Sequence, residues 1–366
     1  MTYPIASSAG DAAAARRAFF TAMPKVELHV HFEGAMTPET VLMLAEKNGR
    51  TLPASTVEGM RDWFTFTDFP HFAEIYWMCA SCLQTPDDFE LAARAFLEDR
   101  ARQNIVWSEV TYTGYARYRR SGLPWAEQIA AINRARAWGE RELGVGFGLI
   151  VDIARDDDTP EQARTLAGWV AESHARDEGV LALGLGGYEV GFPVALFADA
   201  LADARAAGVP LVLHAGETEG PASIRAALDA GAVRIGHGVR ALEDPALVSW
   251  LRDHGTPLEV CPTSNVCLRV VPSLDAHPIR ALMDAGLYVT LNSDDPPMFN
   301  TTLTDEFIRT ADVFGFTEAD GLAFTRRAID AALLSAGAKA RLHAQVNAFA
   351  AAHGFRETPD QQGEHA

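Results

Sequence analysis

Short apolar runs rich in β-branched residues alternate along the chain with longer stretches whose apolar positions recur every three to four residues. A strand buried on both faces reads as a nearly continuous apolar run, and a helix covering a sheet reads as an amphipathic one. The alternation therefore predicts repeated strand and helix units around a parallel sheet. Eight strands are expected, at 25–31, 105–111, 145–153, 181–186, 211–214, 233–237, 257–261 and 288–294, which is the count of a (β/α)₈ barrel. Helix starts are marked by a capping residue followed by proline at Thr37-Pro38, Thr85-Pro86, Thr159-Pro160 and Asp244-Pro245, and Thr159 with Gln162 has capping-box spacing. Two helical patterns in a row at about 66–100 read as an insertion after the first strand that is able to cover one mouth of the barrel. Residues 24–355 then form one domain. Residues 1–23 are Ala-rich and read as a loose arm or a short helix packed outside the core, and 356–366 read as a frayed polar tail.

Composition narrows the partners. The 366-residue chain is 48% hydrophobic and 22% charged, ordinary globular usage with enough apolar residues for a large core. Its formal net charge of −18 would repel a phosphate backbone and an anionic bilayer, so a small molecule is expected as partner, with no nucleic acid and no membrane. Four cysteines, Cys79, Cys82, Cys261 and Cys267, are too few for a disulfide scaffold and suit reduced thiols. No signal-peptide pattern and no apolar run of about 18 residues is visible, which places the expected protein in the cytoplasm.

Four constellations carry candidate chemistry. In Val26-Glu27-Leu28-His29-Val30-His31 two histidines lie two apart in a strand pattern, so both imidazoles point to one face. Such a pair suits a borderline-soft divalent cation such as zinc, or forms a hydrogen-bonded structural pair. In Leu211-Val212-Leu213-His214-Ala215-Gly216-Glu217 an apolar run ends in a histidine, with a glutamate three residues on; the ends of barrel strands are where barrel enzymes collect functional groups. Arg234-Ile235-Gly236-His237-Gly238 repeats the arrangement, with His237 a fourth ligand or a proton carrier. In Asn292-Ser293-Asp294-Asp295-Pro296 two carboxylates close the last strand, a repulsive pairing that a cation relieves.

As a set, Pro24 to His31, His214-Ala215-Gly216-Glu217, Gly236-His237-Gly238, Glu259-Val260-Cys261-Pro262-Thr263-Ser264-Asn265 and Asn292 to Pro296 resemble the adenosine deaminase family of the amidohydrolase superfamily, in the family's order. The resemblance implies one zinc ion held by His29, His31, His214 and Asp294. It implies that Glu217 protonates purine N1, that His237 orients the reacting water and takes its proton, that Asp295 contacts N7 and that Gly187 offers its backbone N–H to N3. The activity it implies is hydrolytic deamination of a 6-aminopurine, with adenosine as the leading substrate. Zinc lowers the pKa of a bound water to about 7, which supplies a nucleophile at neutral pH. A carboxylic acid at N1 then relieves the charge that attack places on the ring.

Two positions depart from the nucleoside-specific pattern. The loop after the fourth strand reads Gly187-Tyr188-Glu189 where those members have Gly-Asp-Glu, and Glu33 stands where they have an aspartate for the ribose 5′-hydroxyl. Glu33 instead resembles adenine deaminases and the aminodeoxyfutalosine deaminases of menaquinone synthesis. Other classes are a metal phosphoesterase or lactonase, which usually has a second metal and a bridging lysine absent here, and a purine-binding protein without catalysis. Cys79 and Cys82 read as packing residues, Tyr76 and Trp77 as core rather than pocket lining, and His71, His174, His254, His277, His343, His353 and His365 as structural or solvated.

Overall fold

The computed structural model describes residues 9–355, so the expected tail at 356–366 lies outside the described residues. Eight parallel strands follow one another around a barrel in chain order: β1 (Lys25–His31), β2 (Ile105–Tyr112), β3 (Gly146–Ala154), β4 (Val180–Gly186), β5 (Leu211–Ala215), β6 (Ala232–His237), β7 (Leu258–Val260) and β8 (Val289–Leu291). Helices surround them, giving the (β/α)₈ architecture that the alternating pattern predicts. The four Thr-Pro and Asp-Pro signals all start helices, with the capping side chain accepting from a backbone N–H two or three residues on. Thr159 and Gln162 form the expected reciprocal box.

β8 stops short of the expected 288–294. After Leu291 the chain leaves the ladder and Asp294 takes a positive φ of 65°, a conformation that a continued strand excludes. What it gains is a closing contact. Asp294 N–H donates to the His29 carbonyl (3.1 Å) and His31 N–H donates to the Asp294 carbonyl (2.9 Å), joining the last strand to the first. The barrel seam thus runs through three of the candidate metal ligands.

Alternation on β1 sorts its side chains. Val26, Leu28 and Val30 join the main apolar core, while Lys25, Glu27, His29 and His31 share the other face. A separate cluster of Ile150, Ala182 and Val212, from β3, β4 and β5, packs with Leu333. Buried charged residues pair with one another: Glu27 pairs with Arg100, and Arg234 bridges Glu109 (2.6 Å) and Glu259 (2.5 Å).

Between β1 and β2 lie the helices Pro38–Lys47, Val57–Trp63, Phe69–Ala80 and Pro86–Arg102; Phe69–Ala80 reaches the mouth where the strands end. The N-terminal stretch forms the helix Ala9–Ala22, and its Phe19 and Phe20 are buried in the main core. Phe19 packs edge-on to Phe349, and Phe20 against Phe307, so this helix is fixed to the C-terminal helices. Among the described residues, no helix is long and apolar enough to cross a membrane.

Candidate active site

Folding brings His29, His31, His214 and Asp294 together, with their donor atoms all within 4.8 Å of one another. His31 Nε2 lies 3.2 Å from His214 Nε2, and Asp294 Oδ1 lies 3.3 Å from His29 Nε2 and 3.2 Å from His31 Nε2. Four ligands about 2.0–2.1 Å from a tetrahedral zinc would stand about 3.3 Å apart, so the spacing fits that ion. His29 Nε2 is buried with no hydrogen-bond partner, while its Nδ1 lies 2.9 Å from Glu259 Oε2. Donation from Nδ1 leaves the Nε2 lone pair facing the cluster, the usual outer support of a metal-bound histidine. Ser264 Oγ donates to Asp294 Oδ2 at 2.6 Å, which occupies the oxygen that faces away from the histidines.

The electrostatics suit a cation. Burial opposes a charge on His29, but Asp294 and Glu259 outweigh it and push the imidazole up to about 10. His214, buried beside two other imidazoles, is pushed well below its ordinary value. The carboxylate thus attracts positive charge that the crowded imidazoles cannot all carry as protons, a conflict that one divalent ion at the centre resolves.

Glu217, His237 and Asp295 lie beside this cluster and line the same pocket. Burial, with Asp294 and Glu189 nearby, holds the Glu217 carboxyl well above the usual carboxylate range, and its Oε1 has no hydrogen-bond partner. Asp295 is likewise pushed well up, by burial and by Asp294, and its Oδ1 is also unpartnered. Both acids are therefore biased toward the protonated form, in which a carboxyl is able to donate. The strand ends supply the closeness this requires. A Cβ on Gly34 would stand 1.6 Å from Asp295 Oδ1, and one on Gly236 would stand 2.9 Å from His29 Cε1. His237 has a φ of 62°, so two of the site's side chains, His237 and Asp294, hang from left-handed backbone that costs about 1–3 kcal/mol each.

The loop carrying Glu217 is held by a residue not singled out in the sequence. Glu189 accepts from the backbone N–H groups of Gly216, Glu217, Thr218 and Glu219 and from Ser223 Oγ. Its signal was present, since a glutamate two residues after Gly187 is part of the family-like loop, but nothing in the spacing tells an anchor from a solvated side chain. Glu259, Ser264 and Asp152 were missed for the same reason.

The pocket spans about 600 Å³ of non-atom space, the open solvent at its mouth included. Gly187, Asp152 and Asp156 line one part, and Phe69, Phe72, Tyr76, Trp77 and Leu268 line another. Tyr76 is buried in the main core and Trp77 packs against it, as expected, and both also line the pocket because the helix Phe69–Ala80 lies across the mouth. Glu33 is fully buried and is not among the lining residues. Tyr76 Oη donates to its Oε2 (3.1 Å) and Thr113 N–H to its Oε1 (3.3 Å), so Tyr76 stands between Glu33 and the pocket.

A parallel barrel with three histidines and an aspartate that could hold a metal at its strand ends, flanked by buried acids, is consistent with a hydrolase of the amidohydrolase superfamily. The sequence profile described as adenosine deaminase matches residues 24–349, and the chain belongs to that family, whose members hydrolyse C–N bonds by deamination. It is 38% identical to the aminodeoxyfutalosine deaminase of Streptomyces avermitilis, over 91% of this chain and 93% of the relative. It is 39% identical to the adenine deaminase of Rhodospirillum rubrum, over 90% and 98%. Among solved structures, it superimposes with a TM-score of 0.85 on an adenine deaminase from Arthrobacter aurescens, at 33% identity, covering 90% of this chain and all of that one. An amidohydrolase from Burkhoderia ambifaria with bound zinc matches at a TM-score of 0.82 and 29% identity, covering 95% and 96%. Family membership displaces the phosphoesterase and non-catalytic readings.

Proposed function

We propose that this protein is a zinc-dependent hydrolytic deaminase of a 6-aminopurine, acting on adenine or aminodeoxyfutalosine in preference to adenosine. The observation that carries the reaction is the convergence of the four candidate metal donors with two buried acids, Glu217 and Asp295, on one pocket. The expectation of adenosine gives way, because the relatives at 38% and 39% identity are named for the other two substrates. Glu33, shared in kind with such enzymes, supports the same change. Its buried position means that it acts on a substrate through Tyr76.

His29, His31, His214 and Asp294 would hold the zinc, which when bound makes water nucleophilic at neutral pH. The chain's own groups do the rest. The water oxygen bonds to C6 while Glu217 delivers its proton to N1, so charge does not build up on the ring. Of the two protons of the water, one passes to N6 and the other restores the Glu217 acid, so that the C6–N6 bond breaks, ammonia leaves and an oxo group remains at C6. Asp295, in its acid form, would donate to N7, and Gly187 would offer its N–H to N3. Phe69, Phe72 and Leu268 exclude bulk water, which keeps Glu217 protonated until the ring is bound.

The test is a set of parallel rate measurements on adenine, aminodeoxyfutalosine and adenosine, with metal analysis of the same preparation. One of the first two substrates should exceed adenosine in kcat/KM by at least about tenfold, a size of discrimination that a few pocket contacts supply. Adenosine as the best substrate would overturn the substrate assignment, and about two zinc ions per chain would overturn the single-metal site.

A further inference from the structure

Behind His237 runs a chain of hydrogen bonds that begins at a donor whose direction is fixed. The backbone N–H of Ile279 lies 3.1 Å from His277 Nδ1, and a backbone N–H can only donate. His277 Nδ1 must therefore be the accepting nitrogen, and the neutral ring carries its proton on Nε2. That Nε2 lies 3.1 Å from Asn265 Oδ1. The amide is thereby oriented, oxygen toward His277 and nitrogen toward His237, and Asn265 Nδ2 lies 3.3 Å from His237 Nδ1. An amide NH₂ donates and does not accept, so His237 Nδ1 is an acceptor as well. The proton of neutral His237 is left on Nε2, on the pocket side, 3.6 Å from Glu217 Oε1.

All three side chains are buried, so bulk water does not compete for these contacts. Burial pushes His277 down to about 4, which keeps its ring neutral at neutral pH; the amide nitrogen facing His237 Nδ1 leaves no place for a second proton on that ring. Reversing the chain is not free. A proton on His237 Nδ1 would require the Asn265 amide to flip, the flipped amide would require an accepting His277 Nε2, and the His277 proton would then face the Ile279 N–H.

We infer that Asn265 and His277 are positioning residues that lock His237 in the Nε2–H tautomer, so that His237 meets the reacting water as a hydrogen-bond donor and not as its base. The tautomer follows from the hydrogen-bond chain alone; its bearing on the water rests on the deaminase reading above. This departs from the proton-taking role implied by resemblance, because the free lone pair of His237 is on the side of the ring away from the pocket. It also gives a role to His277, which sequence alone places among the structural or solvated histidines.

The experiment is long-range ¹H–¹⁵N correlation spectroscopy of the full-length, zinc-loaded protein labelled with ¹⁵N-histidine at neutral pH, with the His237 signals assigned by their loss in His237→Ala. His237 should show a protonated Nε2 and an unprotonated, hydrogen-bonded Nδ1, and His277 the same pattern. Asn265→Asp replaces the donating amide with an acceptor and should move the His237 proton to Nδ1. A wild-type spectrum with His237 protonated at Nδ1, or an Asn265→Asp spectrum that keeps the wild-type pattern, overturns the inference. The wild-type spectrum decides the matter even if Asn265→Asp does not fold. No deaminase rate enters the readout, so failure of the substrate assignment leaves this result standing and the reverse.

Discussion

Glu217 and Gly34 show how different residues serve one reaction. Glu217 is buried, unpartnered at Oε1 and held well above the usual carboxylate range, which favours the acid form that a proton donor to N1 needs. Glu217→Gln keeps the shape, removes the proton and touches no metal ligand. It should retain full zinc content and lose turnover by at least about 10²-fold, measured as kcat on the best substrate. Retained turnover would remove Glu217 from the acid role. Gly34 contributes no chemistry, but its missing Cβ is the space that Asp295 Oδ1 occupies. Gly34→Ala must displace the carboxyl, and a shift of about 1 Å at a reacting group costs about 10²-fold. The expected outcome is a fall in kcat of that order with zinc unchanged; wild-type kinetics would show that Asp295 need not sit there.

At the scale of the element, the loop after β5 is organised from outside itself. Four successive N–H groups and the Ser223 hydroxyl converge on Glu189, which belongs to the loop after β4. These bonds, opposing the cost of burial, hold Glu189 below its ordinary value and therefore ionised. Glu189→Ala leaves buried donors unpaired at about 1–3 kcal/mol for each one that water cannot reach. Urea unfolding should show a loss of several kcal/mol, and kcat should fall more than KM rises because the Glu217 loop loses its shape. An unchanged Cm would show that the loop holds itself. Most of the strands and capped helices were legible in the sequence, since strand burial and Thr-Pro caps are local signals. The end of β8 was not, because Asp294 leaves the ladder to pair with β1, 263 positions away from His31 in the chain.

The whole molecule is stabilised from its N-terminal helix inward. Phe20 is buried against Phe307, and its ring fills the space where a Cβ on Gly321 would stand 2.4 Å away. Phe20→Ala should destabilise the fold by about 3–5 kcal/mol in urea unfolding, the cost of emptying a buried aromatic site. A loss under about 1 kcal/mol would mark the helix as dispensable. His277 contributes a pH dependence. Its folded value of about 4 lies below the ordinary 6.5, so the unfolded chain binds more protons between these limits. Its stabilising contribution is complete above pH 6.5 and is lost as pH falls toward 4, amounting to about 3 kcal/mol at most. Unfolding free energies of wild type should therefore fall more steeply across that window than those of His277→Gln. Parallel slopes would mean that His277 does not titrate on folding.

The residue types and their spacing were enough to establish the strand order, the two inward histidines of β1 and the candidate ligands at the strand ends, because these follow from periods of two and from local turn chemistry. They also marked Glu33 as a departure from the nucleoside pattern. Only the folded chain decided what that departure touches, by placing Tyr76 over Glu33. It likewise turned Glu189 into an anchor and connected His277 through Asn265 to His237. Those relations depend on contacts between segments far apart in the chain, and a side chain's partner, unlike its period, is not encoded in its neighbours.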